Sequence, residues 1–231
     1  MSIDNLSVFF PVVNEEDNIT ATVEKAIAVL QKLNLKWEIL IVDDGSTDKT
    51  GQIADNLVKE YSQVLVHHQP NGGYGAALKS GFYYTKYDWI VYTDGDGQFD
   101  FSEVNKFLEK TDEADLIIGY RIKRKDPFIR LVIAKGWAML LLFFFGLRLK
   151  DVDCGFKMIK RQVINKISPL QSERGGMINA ELVIKAEKFK FKITQVGVNH
   201  YPRLYGRPTG ASMQVIINSF FDLIKLWFKL T

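Results

Sequence analysis

At 231 residues, with 47% hydrophobic and 25% charged side chains, the chain is long enough for one substantial core and has an ordinary globular composition. A formal net charge of +3 is too mild to name a partner, and no nucleic acid is expected. Cys154 is the lone cysteine, which excludes an intrachain disulfide and leaves no sign of an oxidising compartment.

The start, MSIDNLSVFFPVVNEE, lacks the basic n-region and long apolar run of a secretory signal. The longest strongly apolar run, Trp137 to Leu147, is short of the roughly 20 residues that a spanning helix needs. A cytoplasmic protein without a spanning helix is expected. His67, His68 and His200 lack metal-site spacing and read as ordinary surface or core imidazoles.

Leu6 to Val12, Ile39 to Val42, Val64 to His67 and Trp89 to Thr93 are rich in Val, Ile and aromatics and predict strands. Between them, Ile19, Val23, Ile27 and Leu30 recur at helical spacing, as do Ile53, Leu57 and Tyr61. Thr47 to Thr50 marks a helix entry, with Asp48 suited to the positive helix end. Alternation of this kind predicts an α/β fold with a mostly parallel sheet and helices on both faces. Leu116 to Ile118 adds a strand.

Beyond that point the rhythm breaks. Arg121, Lys123, Arg124, Lys125, Arg130 and Lys135 form a basic stretch with Asp126 as its one acid. It overlaps a very apolar helix, Phe128 to Phe145, which a polar connector follows. A helix near Asn179 to Lys188, a strand near Ile193 to Val198 and a Pro/Gly loop from Tyr201 to Gly210 complete the predicted body. In the last segment, Met213 to Leu230, the polar Asn218, Asp222, Lys225 and Lys229 fall in one narrow helical stripe. Such an amphipathic helix packs on the domain or a partner subunit, or lies in a bilayer interface, where Trp, Phe and Lys are at home.

Ligands collect at the carboxyl ends of parallel strands. Strand one runs into Asn14-Glu15-Glu16, strand two into Asp43-Asp44-Gly45-Ser46 and strand four into Asp94-Gly95-Asp96-Gly97-Gln98. Three acidic tips at one edge repel one another without a counter-ion. Asp94, Asp96 and Gln98 alternate, so in an extended segment they point the same way. Their oxygens suit a hard divalent cation, magnesium or manganese, which reverses the repulsion a diphosphate would meet. Asn71-Gly72-Gly73-Tyr74-Gly75-Ala76-Ala77 departs from the dinucleotide fingerprint, since Leu78 stands where that wants glycine. Its glycines still allow close backbone approach to a phosphate.

With those motifs in order, and with Pro11-Val12-Val13, Gly119-Tyr120-Arg121, Asp151-Val152-Asp153-Cys154-Gly155-Phe156-Lys157 and Arg203-Leu204-Tyr205-Gly206-Arg207, the chain resembles the family 2 glycosyltransferases. Within them it resembles the polyprenyl-phosphate (dolichyl-phosphate mannose synthase-like) sugar transferases. The resemblance implies a GT-A fold over residues 1–212, with a nucleotide-binding half to about 119 and an acceptor-binding half after it, followed by the helix 213–231. It implies that Pro11, Glu15, Asp43, Asp44 and Asp94 hold the nucleotide and that Asp94, Asp96 and Gln98 hold the metal. Arg121 and Arg203 would grip phosphate, and Asp151 with Gly155 and Phe156 would shape the sugar and acceptor pocket. Val13 replaces an aromatic common among relatives, so it offers no stacking face for the base.

The expected reaction is inverting transfer of a sugar from a GDP- or UDP-linked donor to a polyprenyl phosphate, with Asp96, Arg121, Arg203 and Asp151 as the working residues. A membrane partner protein or a homo-oligomer is compatible with the two apolar helices. A hydroxyl acceptor would instead need a carboxylate base, for which Asp153 and Glu181 are the choices. A sugar-phosphate nucleotidyltransferase and a non-catalytic nucleotide-sugar-binding module are the rival classes.

Overall fold

The computed structural model describes residues 3–122, 128–172, 177–206 and 213–230, without the side chains of 128–134, 213–220 and 230. Lys123, Arg124, Lys125 and Arg207, and the side chain of Arg130, lie outside the described residues. A seven-stranded sheet forms the centre, in the order β3-β2-β1-β4-β6-β5-β7. Its strands are β1 (Asn5–Val12), β2 (Lys36–Asp44), β3 (Val64–Gln69), β4 (Trp89–Tyr92), β5 (Leu116–Ile122), β6 (Lys157–Lys160) and β7 (Ile193–Asn199). All neighbouring pairs are parallel except those of β6, which runs antiparallel to both β4 and β5.

Side chains alternate across a strand, and here both faces are buried. Leu6, Val8, Phe10 and Val12 of β1 join Ile39 and Ile41 of β2 in one core. Helices α1 (Ile19–Leu30), α2 (Thr50–Glu60) and α4 (Val104–Leu108) cover it through Val23, Leu30, Leu57 and Phe107. Phe9, Leu40, Val42 and Tyr92 point the other way. Over them pack α3 (Tyr74–Tyr84), α5 (Phe128–Phe145), α6 (Arg161–Ile167), α7 (Met177–Lys188) and α8 (Met213–Leu230). The parallel first half and the helices on both faces match what the strand and helix periodicities predict.

Strand β6 does not follow from the pattern. Its four residues, Lys-Met-Ile-Lys, read as polar connector, yet they fill the centre of the sheet. A lysine at a buried strand position hides the apolar signal, because Lys157 is 0% exposed. The two late helices are only partly covered. Leu141, Leu223 and Leu226 are buried and Phe144 meets Trp227 edge-on at 5.5 Å, while Phe143 and Phe228 are 83% and 70% exposed.

Phe156, expected to shape a pocket, is instead core: fully buried, stacked on Phe107 at 4.5 Å and against Phe101 at 6.1 Å. Phe156→Ala should therefore cost about 3–5 kcal/mol of stability, read as a lowered denaturant midpoint with little change in slope.

Candidate active site

The carboxyl edge of the parallel strands is built by loops that brace one another. After β1 the chain turns at Asn14, whose φ of 55° is left-handed. The Asn14 amide donates to Ser46 Oγ at 2.9 Å, and its side-chain oxygen accepts from the Thr47 amide at 2.8 Å. The Glu15 amide donates to Thr50 Oγ1 at 2.7 Å, and Glu16 Oε2 accepts from the Lys49 amide at 3.0 Å. Asp48 Oδ1 accepts from the amide of Thr50, the first residue of α2, at 2.9 Å, in keeping with a helix entry there. Many of the polar side chains that look like ligand groups in sequence are thus braces.

The β2 carboxylates are braces too. Asp43 is 5% exposed; its Oδ2 meets His68 Nδ1 at 2.9 Å and its Oδ1 accepts from the Ser46 amide at 3.0 Å. That carboxylate raises the His68 pKa, an effect burial opposes. Asp44 accepts from the Gly72 and Gly73 amides at 2.9 and 2.8 Å and from Gln69 Nε2 at 2.7 Å. Gly45 makes room for this docking: its φ is +70°, and a Cβ there would stand 2.6 Å from the Asn71 amide nitrogen. Asp44 therefore holds the Gly72-Gly73 loop where α3 begins, and Tyr74 at that helix start reaches across to donate to Asp94 Oδ1 at 3.1 Å. Asp44 and Asp94 are joined through one short loop.

Residues 94–98 form a tight turn and not an extended segment, with Gly97 at φ +72°. The alternating positions consequently do not aim alike. Asp94 turns inward against Gly155, where any Cβ would overlap its carboxylate. Asp96 turns toward Arg203, with its Oδ2 at 3.4 Å from Nη1. Gln98 is tied to the segment after β7: its Nε2 donates to the Tyr201 carbonyl at 2.9 Å, and its carbonyl accepts from the Tyr201 amide at 2.8 Å. Pro11 is buried in β1, in register with Val42, and its carbonyl lies close beside Gly95.

Arg203 is the cation of the cluster. Its Nη2 is ion-paired with Glu15 Oε1, its Nη1 reaches Asp96, and its Nε donates to the Tyr205 carbonyl at 2.5 Å. Burial raises the pKa of Glu15, against the hydrogen bonds from Asn18 and Arg203. Burial and then the neighbouring Asp94 push Asp96 up to about 6. Burial also raises Asp94, opposed by Tyr74, Lys157 and Arg121. Among the described residues no three His, Cys, Asp or Glu groups stand close enough to enclose an ion unaided.

The remaining predicted pair meets directly. Arg121, at the end of β5, makes a fork with Asp151: Nε to Oδ2 at 2.6 Å and Nη2 to Oδ1 at 2.9 Å. Asp151 is 7% exposed, so this ion pair is held out of water. Glu181, one of the two candidate bases, is 1% exposed and accepts from the Gln171 and Ser172 amides at 2.9 and 2.8 Å. Tyr74, Asn179 and Lys157 were not singled out by sequence reasoning. Tyr74 and Lys157 stand inside motifs quoted above, but nothing in spacing alone tells that they reach beneath Asp94.

The sequence profile described as glycosyl transferase family 2 matches residues 7–168, from β1 through α6. The chain belongs to that family. It is similar to the dolichyl-phosphate beta-glucosyltransferase of Saccharomyces cerevisiae, at 32% identity over 93% of this chain and 70% of the relative. The undecaprenyl-phosphate 4-deoxy-4-formamido-L-arabinose transferase of Pectobacterium atrosepticum is 26% identical over 96% of this chain and 67% of its own length. In fold, this family 2 transferase is like glucosyl-3-phosphoglycerate synthase from Mycobacterium tuberculosis, solved with Mn2+, UDP and glucosyl-3-phosphoglycerate. There the TM-score is 0.72 at 21% identity, covering 95% of this chain and 80% of that one. The GT-A architecture expected from the motifs is the architecture found.

Asp96 yields a pH prediction for this transferase without added metal. The groups facing it are Asp94, Glu15 and Arg203. Its folded pKa lies above that of the unfolded chain, so the folded state binds the proton more tightly. Stability from this group therefore rises as pH falls from about 6 toward the ordinary aspartate range. Asp96→Asn should remove that dependence and raise stability at pH 7 by on the order of 1 kcal/mol. Thermal unfolding between pH 4 and pH 7 in the presence of chelator checks it.

Proposed function

We propose that this transferase moves a sugar from a UDP- or GDP-linked donor to a polyprenyl phosphate, with inversion at the anomeric carbon. The observation that carries the reading is the pairing of Glu15 and Asp96 with one guanidinium, Arg203, and the placing of Asp94 beside Asp96, at the carboxyl edge of the sheet. Three carboxylates and one arginine suit a ligand that brings both phosphate and positive charge. Names of the two curated relatives, a dolichyl-phosphate and an undecaprenyl-phosphate transferase, support the acceptor class.

A divalent cation, Mg2+ or Mn2+, fits these residues. Asp94 and Asp96 carry hard oxygen donors, turned inward and toward Arg203 respectively, and Gln98 carries a third, its amide nitrogen spent on Tyr201. Burial and then the Asp94 charge disfavour the ionised Asp96 carboxylate, which added positive charge beside it would stabilise. Magnesium and manganese accept such sparse protein ligands because water and phosphate oxygens complete their shells. When bound, the ion supplies Lewis-acid neutralisation of the departing diphosphate.

The chain's own groups have separable parts. Pro11, Glu15, Asp43 and Asp44 form the nucleoside side, the last two chiefly by holding its loops. Arg203 can exchange its carboxylate partners for phosphate oxygens. Asp151 holds the Arg121 guanidinium in one plane, which suits it to orient an anionic group. A phosphate acceptor is ionised at neutral pH and needs positioning more than deprotonation. Glu181 is committed to backbone amides and Lys185, which argues against its serving as the base for a hydroxyl acceptor. Residues 1–119 would then serve the nucleotide, 120–212 the acceptor, and the helix 213–231 the membrane.

Among the described residues no helix is long and apolar enough to cross a membrane. A peripheral seat on the cytoplasmic face fits instead. Met139 and Phe143 of α5 and Phe221 and Phe228 of α8 are 68%, 83%, 56% and 70% exposed, with Lys135, Lys225 and Lys229 exposed nearby on the same helices.

The deciding experiment incubates the protein with UDP- and GDP-sugars, Mn2+ and a short polyprenyl phosphate. A glycolipid product is expected, and Asp96→Ala should lower its formation at least a hundredfold with the fold intact. No product from a full donor set, or unchanged turnover in both Asp94→Ala and Asp96→Ala, would discard the reading. For the membrane seat, Phe143→Ser with Phe228→Ser should weaken binding to anionic vesicles about tenfold. Raising salt should weaken it further, and flotation assays measure both.

A further inference from the structure

Lysine side chains are seldom fully buried, and a buried one is normally paired with a carboxylate. Lys157 is fully buried at the start of β6, in register with Tyr92 of β4 and Ile118 of β5. Its Nζ donates to two neutral oxygens, the Cys154 carbonyl and Asn179 Oδ1, the latter at 2.8 Å. The ammonium also lies over the Tyr92 ring, 5.6 Å from the centroid. Among the described residues no carboxylate is within ion-pair distance of it. An ammonium kept out of water with only neutral ligands costs several kcal/mol unless its charge serves carboxylates slightly farther off.

Asp153, Asp151 and Asp94 all act on this ammonium, and the partners of Asn179 lead to Asp94. Tyr92 OH donates to Asn179 Oδ1 at 2.8 Å, and the Asn179 side chain neighbours the Tyr74 hydroxyl, which donates to Asp94 Oδ1 at 3.1 Å. Lys157, Asn179, Tyr74 and Asp94 are therefore successive polar neighbours beneath the acidic turn, with hydrogen bonds from Lys157 to Asn179 and from Tyr74 to Asp94. Gly155, two residues before Lys157, is the backbone against which the Asp94 carboxylate lies. The same short segment supplies both the floor under Asp94 and the charge behind it.

We propose that Lys157 is a positioning residue for the donor site: its buried ammonium, through Asn179 and Tyr74, fixes the Asp94 carboxylate for the nucleoside diphosphate and its cation. The proposal rests on the reading of Asp94 as a donor-site group. Lys157 itself touches neither substrate nor cation. Its effect is on donor affinity and not on the acceptor.

Calorimetric titration of UDP and of GDP, each with Mn2+, into the full chain tests this. Lys157→Met should weaken binding of the nucleotide that the wild type accepts about tenfold, and Tyr74→Phe should weaken it by a similar factor. The double variant should lose little more than either single one, because both act on one carboxylate. Vesicle binding should not change. A lysine that only supports the fold would lower the melting temperature and leave affinity alone. Unchanged affinity in a folded Lys157→Met, or fully additive losses, overturns the proposal. Should Lys157→Met fail to fold, Asn179→Asp carries the test: it gives the ammonium a carboxylate of its own and competes for the Tyr74 hydroxyl. Weaker nucleotide binding in that variant is expected, and wild-type binding overturns the proposal. If the wild type binds neither nucleotide with Mn2+, the donor-site reading falls and this proposal with it.

Discussion

Carboxylates gathered at one edge of a sheet repel, and everything at this site answers that repulsion. Two like charges about 4 Å apart cost roughly 4 kcal/mol at an effective dielectric near 20. The fold meets the cost in two different ways. The β2 carboxylates are satisfied by hydrogen bonds within the chain: Asp43 by His68 and Ser46, and Asp44 by three N–H donors. Glu15 and Asp96 share a single guanidinium, Arg203, delivered from the segment after β7, and Asp94 has, among the described residues, Tyr74 as its hydrogen-bond donor and more distant cations behind it. The first group makes structure and the second makes a site.

That division explains the local architecture. A carboxylate that accepts backbone amides can hold a loop rigidly, and Asp44 does so for the Gly72-Gly73 loop, Asp48 for the start of α2 and Glu16 for Lys49. Loops after parallel strands would otherwise be the least ordered part of the molecule. Here the loops after β1 and β2 hydrogen-bond to each other, so the open edge is a braced surface. Side chains aimed from it keep their relative positions, which is what binding a diphosphate in one geometry requires.

Much of this was legible in the residues, and the failures have physical causes. Buried parallel strands read as near-continuous Val, Ile and Phe, so β1, β2 and β4 were plain, and Ile19, Val23, Ile27 and Leu30 announced α1. The order of motifs identified the family. Strand β6 was missed because a buried lysine stands at its head, and the signal that marks a strand is apolar alternation. Position along the chain told that Asp43, Asp44, Asp94 and Asp96 lie at strand ends but not where each side chain turns. That depends on the turn at residues 94–98, which sends Asp94 inward and Asp96 outward, where an extended segment would align them. Phe156 was misplaced for a like reason: its motif points to a pocket, while its aromatic neighbours Phe101 and Phe107 come from a helical segment far off in sequence.

The charge arrangement also bears on what ligand the proposed donor site would accept. Arg203 stands on the segment after β7, and that segment is tied to the acidic turn by Gln98 and Tyr201, and by the bridge between Phe99 and His200. Its guanidinium cannot saturate Glu15 and Asp96 and also grip a diphosphate with the same N–H groups. A phosphate that draws Arg203 away leaves those carboxylates uncompensated, which low dielectric forbids unless positive charge arrives with the phosphate. A nucleoside diphosphate accompanied by a divalent cation meets both demands together, and a bare diphosphate meets neither. The acidic turn and the arginine-bearing segment thus act as one electrostatic unit, although residues 96 and 203 sit on opposite sides of three strands in the sequence.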